Sequence, residues 1–252
     1  MNILDIGIVV FICSVLAILT YRRGMLNKGG SLTAWILGII IGLEGGLLWI
    51  FLLLIFLFSA FLATKYKFKV KLKRGVQEGK KGERGAINVI GNGIIPVMIA
   101  ILKNPGGLFN YGVFDENLAL ILFITSVSAA AADTLASEMG LLSDKTYLIT
   151  NLKRVKPGTN GGISIYGEIW SFIGSAYTFL IAFTLFTVLN GKPFSFPIAI
   201  LGILFGFMSC QIDSILGATL ERKNYISKST VNLTAISITV TIFGVILWMI
   251  RF

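Results

Sequence analysis

The chain has 252 residues, of which 55% are hydrophobic and only 13% charged, and it carries a formal net charge of +10. A soluble domain averages about 25% charged residues, so this composition excludes an ordinary soluble globule and implies a polytopic membrane protein. Histidine is absent, which removes the commonest general base and the commonest metal ligand.

Residues 3–20 (ILDIGIVVFICSVLAILT) form the first apolar run, followed by YRRG rather than a small-residue cleavage site. That pattern reads as a retained span and not as a signal peptide. Cys13 lies here and Cys210 in a distant apolar run; both read as small packing residues, suggesting neither zinc nor a disulfide framework. Residues 31–44 make a second span that is short for a bilayer, and 46–64 a third. The junction Glu44-Gly45-Gly46 would also let these two form a re-entrant hairpin. In the loop 65–85, KYKFKVKLKRG alternates lysine with Tyr66, Phe68, Val70 and Leu72. A period of two predicts a short strand or an extended segment at the lipid interface. Lys80 and Lys81 follow a glycine-containing turn; they are candidates for phosphate binding, with membrane anchoring as the plainer reading.

The fourth span, 86–102, is opened by Arg84, Asn88 and Asn92 at i, i+4 and i+8, which places them in one stripe. A guanidinium followed by two amides suits phosphate oxygens; asparagines also hold helices together. The fifth span, 117–138, ends in AAAADTLASEMG. Carboxylates in such a place are costly and rarely idle. Asp133 and Glu138 stand about 140° apart on an ideal helix, so they share one ion only if the helix ends between them. Mg²⁺ is the ion that hard oxygen donors suit, and pairing with lysine or arginine is the alternative.

The loop 139–163 contains VKPGTNGGIS. Its Lys156, Gly158, Thr159, Asn160, Gly161 and Gly162 suggest an anion cup of backbone N–H groups beside a basic side chain; a plain tight turn is the alternative. It is not a Walker A loop. Glu168 opens the sixth span, 164–189. Asp213 lies near the end of the seventh, 195–220, and is a further candidate for metal or for helix-to-helix bonding. The eighth span is 229–250.

Nineteen of the 22 Lys and Arg residues fall in the connections 21–30, 65–85, 139–163 and 221–228, leaving Lys103, Lys192 and Arg251 on the other side. The positive-inside rule then puts those connections in the cytoplasm and both termini outside. The expected fold is all-α, a single transmembrane domain over residues 1–252 with about eight helices and cytoplasmic loops at 65–85 and 139–163. Sidedness accounts for the basic excess, so no nucleic acid partner is implied; oligomeric state is left open. Asp133, Glu138, Asp213, Arg84, Asn88, Asn92 and Glu168 all fall at the cytoplasmic face, as a site at the membrane boundary requires.

The ordered blocks ERGAINVIGNG, AAADTLASEMG, KPGTNGGIS and DSILGATLE resemble an integral membrane family known as domain of unknown function 92. Its plant members include a chloroplast phytyl-phosphate kinase, and it is distantly similar to polyprenol kinases and to membrane cytidylyltransferases that use CTP. The resemblance covers about residues 20–225 and matches Asp133, Glu138, Asn160 and Asp213 to motif positions. The Lys-rich loop departs from the pattern, which leaves the identity of the lipid open. The resemblance implies a prenyl-phosphate kinase that moves a phosphoryl group from a nucleoside triphosphate, CTP being the first choice, to phytyl or geranylgeranyl phosphate. Asp133 and Asp213 would hold Mg²⁺ with Glu138 in support. Arg84, Lys156 and the glycine loop would neutralise the transferring group. A phosphate monoester is already mostly ionised at pH 7, with a second pKa of about 6, so such an acceptor needs no histidine base. The alternatives are an ion or lipid transporter, a polyprenol kinase and a cytidylyltransferase-like enzyme. No plant transit peptide is seen, which points to a prokaryotic plasma membrane.

Overall fold

The structure, a computed structural model, describes residues 3–103, 113–190 and 195–250. Lys192 and Arg251, both counted in the charge asymmetry, lie outside the described residues. The described elements in chain order are α1 (Ile3–Arg22), α2 (Lys28–Gly45), α3 (Leu47–Lys65), α4 (Phe68–Arg74), α5 (Ala86–Leu102), α6 (Glu116–Gly140), β1 (Thr146–Leu148), β2 (Arg154–Val155), β3 (Gly162–Ile163), α7 (Ile165–Asn190), α8 (Phe196–Leu216) and α9 (Lys228–Met249). A single π turn, Gly217–Glu221, continues α8. Six helices (α1, α3, α6, α7, α8 and α9) are long and apolar enough to cross a membrane. The 17-residue α5 is a shorter apolar helix.

The helix at the expected second span, α2, is not among those six, but it is longer than the sequence suggests. Asn27 caps α2, its side chain accepting from the Gly30 N–H at 2.8 Å, so the helix begins before residue 31. Its 18 residues rise about 27 Å, close to the thickness of a bilayer core. A single glycine joins it to α3: Gly46 has φ +88° and is at once the end of one helix and the start of the next. Just before it, a side chain at Gly45 would overlap the ring of Trp49. Trp49 in turn stacks on Phe123 of α6 at 4.0 Å between centroids.

α6 is the axis of the bundle. Across its apolar stretch 89% of the residues are buried inside the protein, against 17% for α1. Asp115 starts it by accepting from the N–H groups of Asn117 and Leu118, both at 3.0 Å. Its small residues let neighbours approach closely. A Cβ at Gly174 of α7 would lie 2.8 Å from the Ala131 carbonyl oxygen. One turn further toward the start of α6, Ser128 Oγ and Ser175 Oγ are 2.8 Å apart, and Gly206 of α8 sits over both.

The segment expected to be extended is instead the short helix α4, between left-handed residues Lys67 (φ +49°) and Gly75 (φ +68°). An isolated strand at a membrane surface would leave its N–H and C=O groups unpaired, and one helical turn satisfies them locally. The loop after α6 holds a three-stranded antiparallel sheet in the order β2-β1-β3, pairing Tyr147 with Arg154 on one side and Ile163 on the other. The helical pattern of the sequence gives no hint of it.

Candidate functional site

Asp133 in α6 and Asp213 in α8 are brought together, their carboxyl groups within hydrogen-bonding reach of each other. The helices are held close by the small residues described above, which is why two acids 80 positions apart in sequence meet. They line a polar cavity of about 290 Å³ at the end of the bundle. Lys228, the first residue of α9, shares the cavity, and its charge acts on Asp133, Asp213 and Glu221. Asn232, one turn along α9, completes the surround. With its amide oriented to satisfy both ends, Nδ2 donates to Asp213 Oδ1 at 3.2 Å and to the Lys228 carbonyl at 2.9 Å. Glu168 lies on the same wall, accepting from Gln211 Nε2 at 2.6 Å.

The glycine loop forms another wall. Gly158 (φ +83°) and Gly161 (φ +74°) are both left-handed. A side chain at Gly158 would press on Val76 at 2.7 Å, and one at Gly161 would overlap the backbone and Cβ of Ala218 in the π turn. Glycine is therefore required twice over, for conformation and for close approach. Thr159 N–H donates to Lys156 O at 3.2 Å and Gly162 N–H to Thr159 O at 2.8 Å. Those two donors close the turn, so they are not open to an anion. Gly158, Thr159, Asn160, Gly161 and Gly162 all line the cavity. Lys156 is exposed and does not, and the same is true of Lys80 and Lys81.

Glu138 is tied into a network of its own. α6 runs unbroken to Gly140, so Glu138, about 140° around the helix from Asp133, lines the same cavity. Its carboxylate accepts from Lys71 Nζ at 2.7 Å, Thr64 Oγ1 at 2.9 Å and Arg84 Nη2 at 3.4 Å. It is 4% exposed and anchors a buried ion pair, and it also lines the acid cavity with Asp133 and Asp213. Lys71 is fully buried and also donates to the Ala63 carbonyl at 2.7 Å. Burial pushes the Lys71 ammonium below the usual lysine range, and Glu138 opposes that shift. Arg74 adds a second tie, donating to the Leu141 carbonyl at 2.8 Å and to Asp144 at 2.6 Å. Together these bonds hold α4 across the end of α6.

Arg84 precedes α5 and does not belong to its first turn; its backbone pairs with Met25 and Asn27. Its Nη1 donates to Thr134 Oγ1 at 3.3 Å, next to Asp133. Asn88 Nδ2 donates to Glu78 Oε1 at 2.6 Å, and Asn92 Nδ2 to the Asn88 carbonyl at 3.0 Å. Arg84, Asn88 and Asn92 line an apolar cavity, and Glu78 and Glu138, which Asn88 and Arg84 reach, line the acid cavity. Sequence reasoning missed Lys71, Lys228, Asn232, Glu78 and Glu221. The two lysines were hidden among residues explained by topology alone; the others carried no signal beyond being polar close to an apolar run.

Among the described residues no cluster of three or more His, Cys, Asp or Glu side chains forms a ready metal cage. Two facing carboxylates in a polar cavity nevertheless suit Mg²⁺, which is ordinarily bound by one or two carboxylates plus substrate phosphates and water.

Comparison with known proteins follows the motifs. An uncharacterized membrane protein of Methanocaldococcus jannaschii is 31% identical over 95% of this chain and 92% of its own length. Two Arabidopsis thaliana proteins are also similar: Protein PGR, 29% identical over 86% of this chain and 80% of its own, and Protein VTE6, chloroplastic, 30% identical over 70% and 51%. No solved structure matches the chain. The profile of the integral membrane protein family DUF92 matches residues 11–245, nearly the whole of the described bundle, and the chain belongs to that family.

Proposed function

We propose that the protein is a membrane prenyl-phosphate kinase, transferring the terminal phosphoryl group of a nucleoside triphosphate to a prenyl monophosphate to give the diphosphate. The observation that carries this reading is the pair Asp133 and Asp213, facing each other beside Lys228 in a polar cavity, with Arg84 of an apolar cavity reaching Glu138 on its wall at 3.4 Å. Two facing carboxyls share a proton or repel and favour a cation, and a cavity holding both acids and a lysine suits phosphates bound with a divalent ion. Mg²⁺, when bound, would supply charge neutralisation for the donor phosphates. Family membership adds to this, since the phytyl-phosphate kinase of plants lies within the family that the motifs resemble. CTP remains the first choice of donor, and phytyl or geranylgeranyl phosphate of acceptor.

In this reading Asp133 and Asp213 orient the donor through the cation. Lys228 takes the role first given to Lys156, because it lies in the cavity and Lys156 does not. Arg84 meets the acceptor phosphate from the apolar side and offsets repulsion between two anionic reactants. The glycine loop excludes water by its close seat on the π turn. Phosphoryl transfer consists mostly of positioning and electrostatics, which such an arrangement supplies without a histidine. The charge asymmetry supports a site on the cytoplasmic face, and a prokaryotic plasma membrane is the location that this reading takes.

The test is purified protein with Mg²⁺, labelled CTP or ATP, and phytyl phosphate or free phytol in micelles. Prenyl diphosphate is the expected product, with phytol left untouched. Monophosphate formed from phytol at a comparable rate would assign an alcohol kinase, a cytidine-linked lipid would assign a cytidylyltransferase, and no product with any donor would remove the kinase reading.

A further inference from the structure

A cavity of about 140 Å³ lies between α1, α2, α3 and α5. Its walls are apolar, and small residues such as Ala17 and Gly38 make the room. At one end the lining becomes polar through Arg84, Asn88 and Asn92. That end touches the acid site along two routes. Arg84 donates to Thr134, the neighbour of Asp133, and Asn232 stands between the two chambers, one end of its amide 3.4 Å from Asn92 Oδ1 and the other 3.2 Å from Asp213 Oδ1. An amphiphile with a phosphate head and an apolar tail fits this change of lining. Size sets the extent of the fit: an apolar cavity of about 150 Å³ holds one benzene-sized group, so this one takes roughly one isoprene unit and not a chain of about twenty carbons. The rest of such a chain has to leave the protein. α1, with 17% of its apolar stretch buried, is the least enclosed of the candidate membrane spans and offers the way out to lipid.

We infer that this cavity grips the phosphate-proximal isoprene unit of the acceptor lipid, with Arg84, Asn88 and Asn92 meeting its phosphate, while the distal chain stays in the bilayer. The inference rests on the prenyl-phosphate reading of the acid site and adds to it a rule of selection. The protein discriminates at the first isoprene and is indifferent to total chain length.

The experiment uses geranylgeranyl monophosphates carrying a photoreactive diazirine on either the first or the last isoprene unit, with the full chain in phosphatidylcholine nanodiscs and no nucleotide. The first probe should label α1 and α2 around Ala17 and Gly38, and the second should label bulk phospholipid. Gly38→Leu should cut labelling by the first probe by about tenfold or more, a normal effect of a steric change in an apolar pocket. A Cβ at Gly38 meets only Cys13 Sγ at 3.4 Å, so the new side chain fills the void and leaves the backbone in place. Ala17→Leu provides a second filling variant, and the wild-type labelling pattern depends on neither. Equal labelling of the cavity by both probes, labelling of phospholipid alone by the first, or labelling that survives both substitutions would overturn the inference. Because no transfer is needed for labelling, the expected pattern in a protein that forms no diphosphate would count against the kinase and not against the cavity.

Discussion

Asp133 and Asp213 are the residues whose chemistry is easiest to isolate. Asparagine has nearly the same size as aspartate but cannot offset a cation's charge. Replacing either by Asn should lower turnover at least about a hundredfold, a barrier change of about 2.7 kcal/mol. The fold should survive, since a neutral amide is less costly to bury than a carboxylate and one of two facing like charges is lost. Turnover and thermal unfolding in detergent, measured on the same preparations, would check both halves; a variant that keeps its activity would reduce Asp213 to a bond between helices. Glu138 behaves oppositely. Lys71→Met leaves a carboxylate buried beside Thr64 with only the longer contact to Arg84. Breaking a buried pair in this way costs about 3–5 kcal/mol. Removing both partners, as Lys71→Met with Glu138→Met, should restore much of the loss. A double-mutant cycle on unfolding temperature would show this, and additive losses would mean that the pair is not coupled. The sequence made all these acids visible, because a charge inside an apolar run stands out. It did not show that Asp133 meets Asp213 while Glu138 meets Lys71. That depends on which helices face each side of α6.

At the scale of elements, the loop over residues 156–162 and the π turn after α8 act as one piece. Gly161→Ala would place a methyl group on Ala218 in a left-handed conformation that costs an L-residue about 1–2 kcal/mol before any clash. The loop should lift from the π turn while the helices stay packed. Expected outcomes are faster proteolytic cutting within 139–163, an unchanged midpoint for the bundle, and activity reduced about tenfold or more through lost water exclusion and positioning. Uncut loop and full activity in this variant would show that the close approach does not matter. The glycine block was legible in the sequence as a turn with positive φ. What it packs against was not legible, because Ala218 lies more than fifty residues away. α4 teaches the reverse lesson. Its alternating lysines suited a strand by period alone, yet without a partner strand the backbone closed on itself, and the one lysine that turned inward found Glu138.

For the whole molecule, the arrangement of basic residues predicts sidedness. In a background of Cys13→Ala and Cys210→Ala, single cysteines at the exposed positions Lys73, Leu152 and Val113 should divide in labelling with a membrane-impermeant maleimide. Lys73 and Leu152 should label from the cytoplasmic side and Val113 from outside. Any other division would move the acid cavity to the opposite compartment, away from cellular nucleotides. The sequence by itself determined the class of protein, the approximate helices and the gathering of acids at one end. Each of these depends on local properties: hydropathy over about twenty residues, charge in connecting loops, and the cost of placing a carboxylate in lipid. Only the tertiary structure decided which acids meet, that Lys228 and not Lys156 shares their cavity, and that Arg84 reaches from an apolar chamber to Glu138 on the wall of the polar one. The meeting of the acids follows from small residues on α6, α7 and α8 that let three helices approach closely. The same glycines and alanines would have suited several other packings, so their spacing alone does not name the partner.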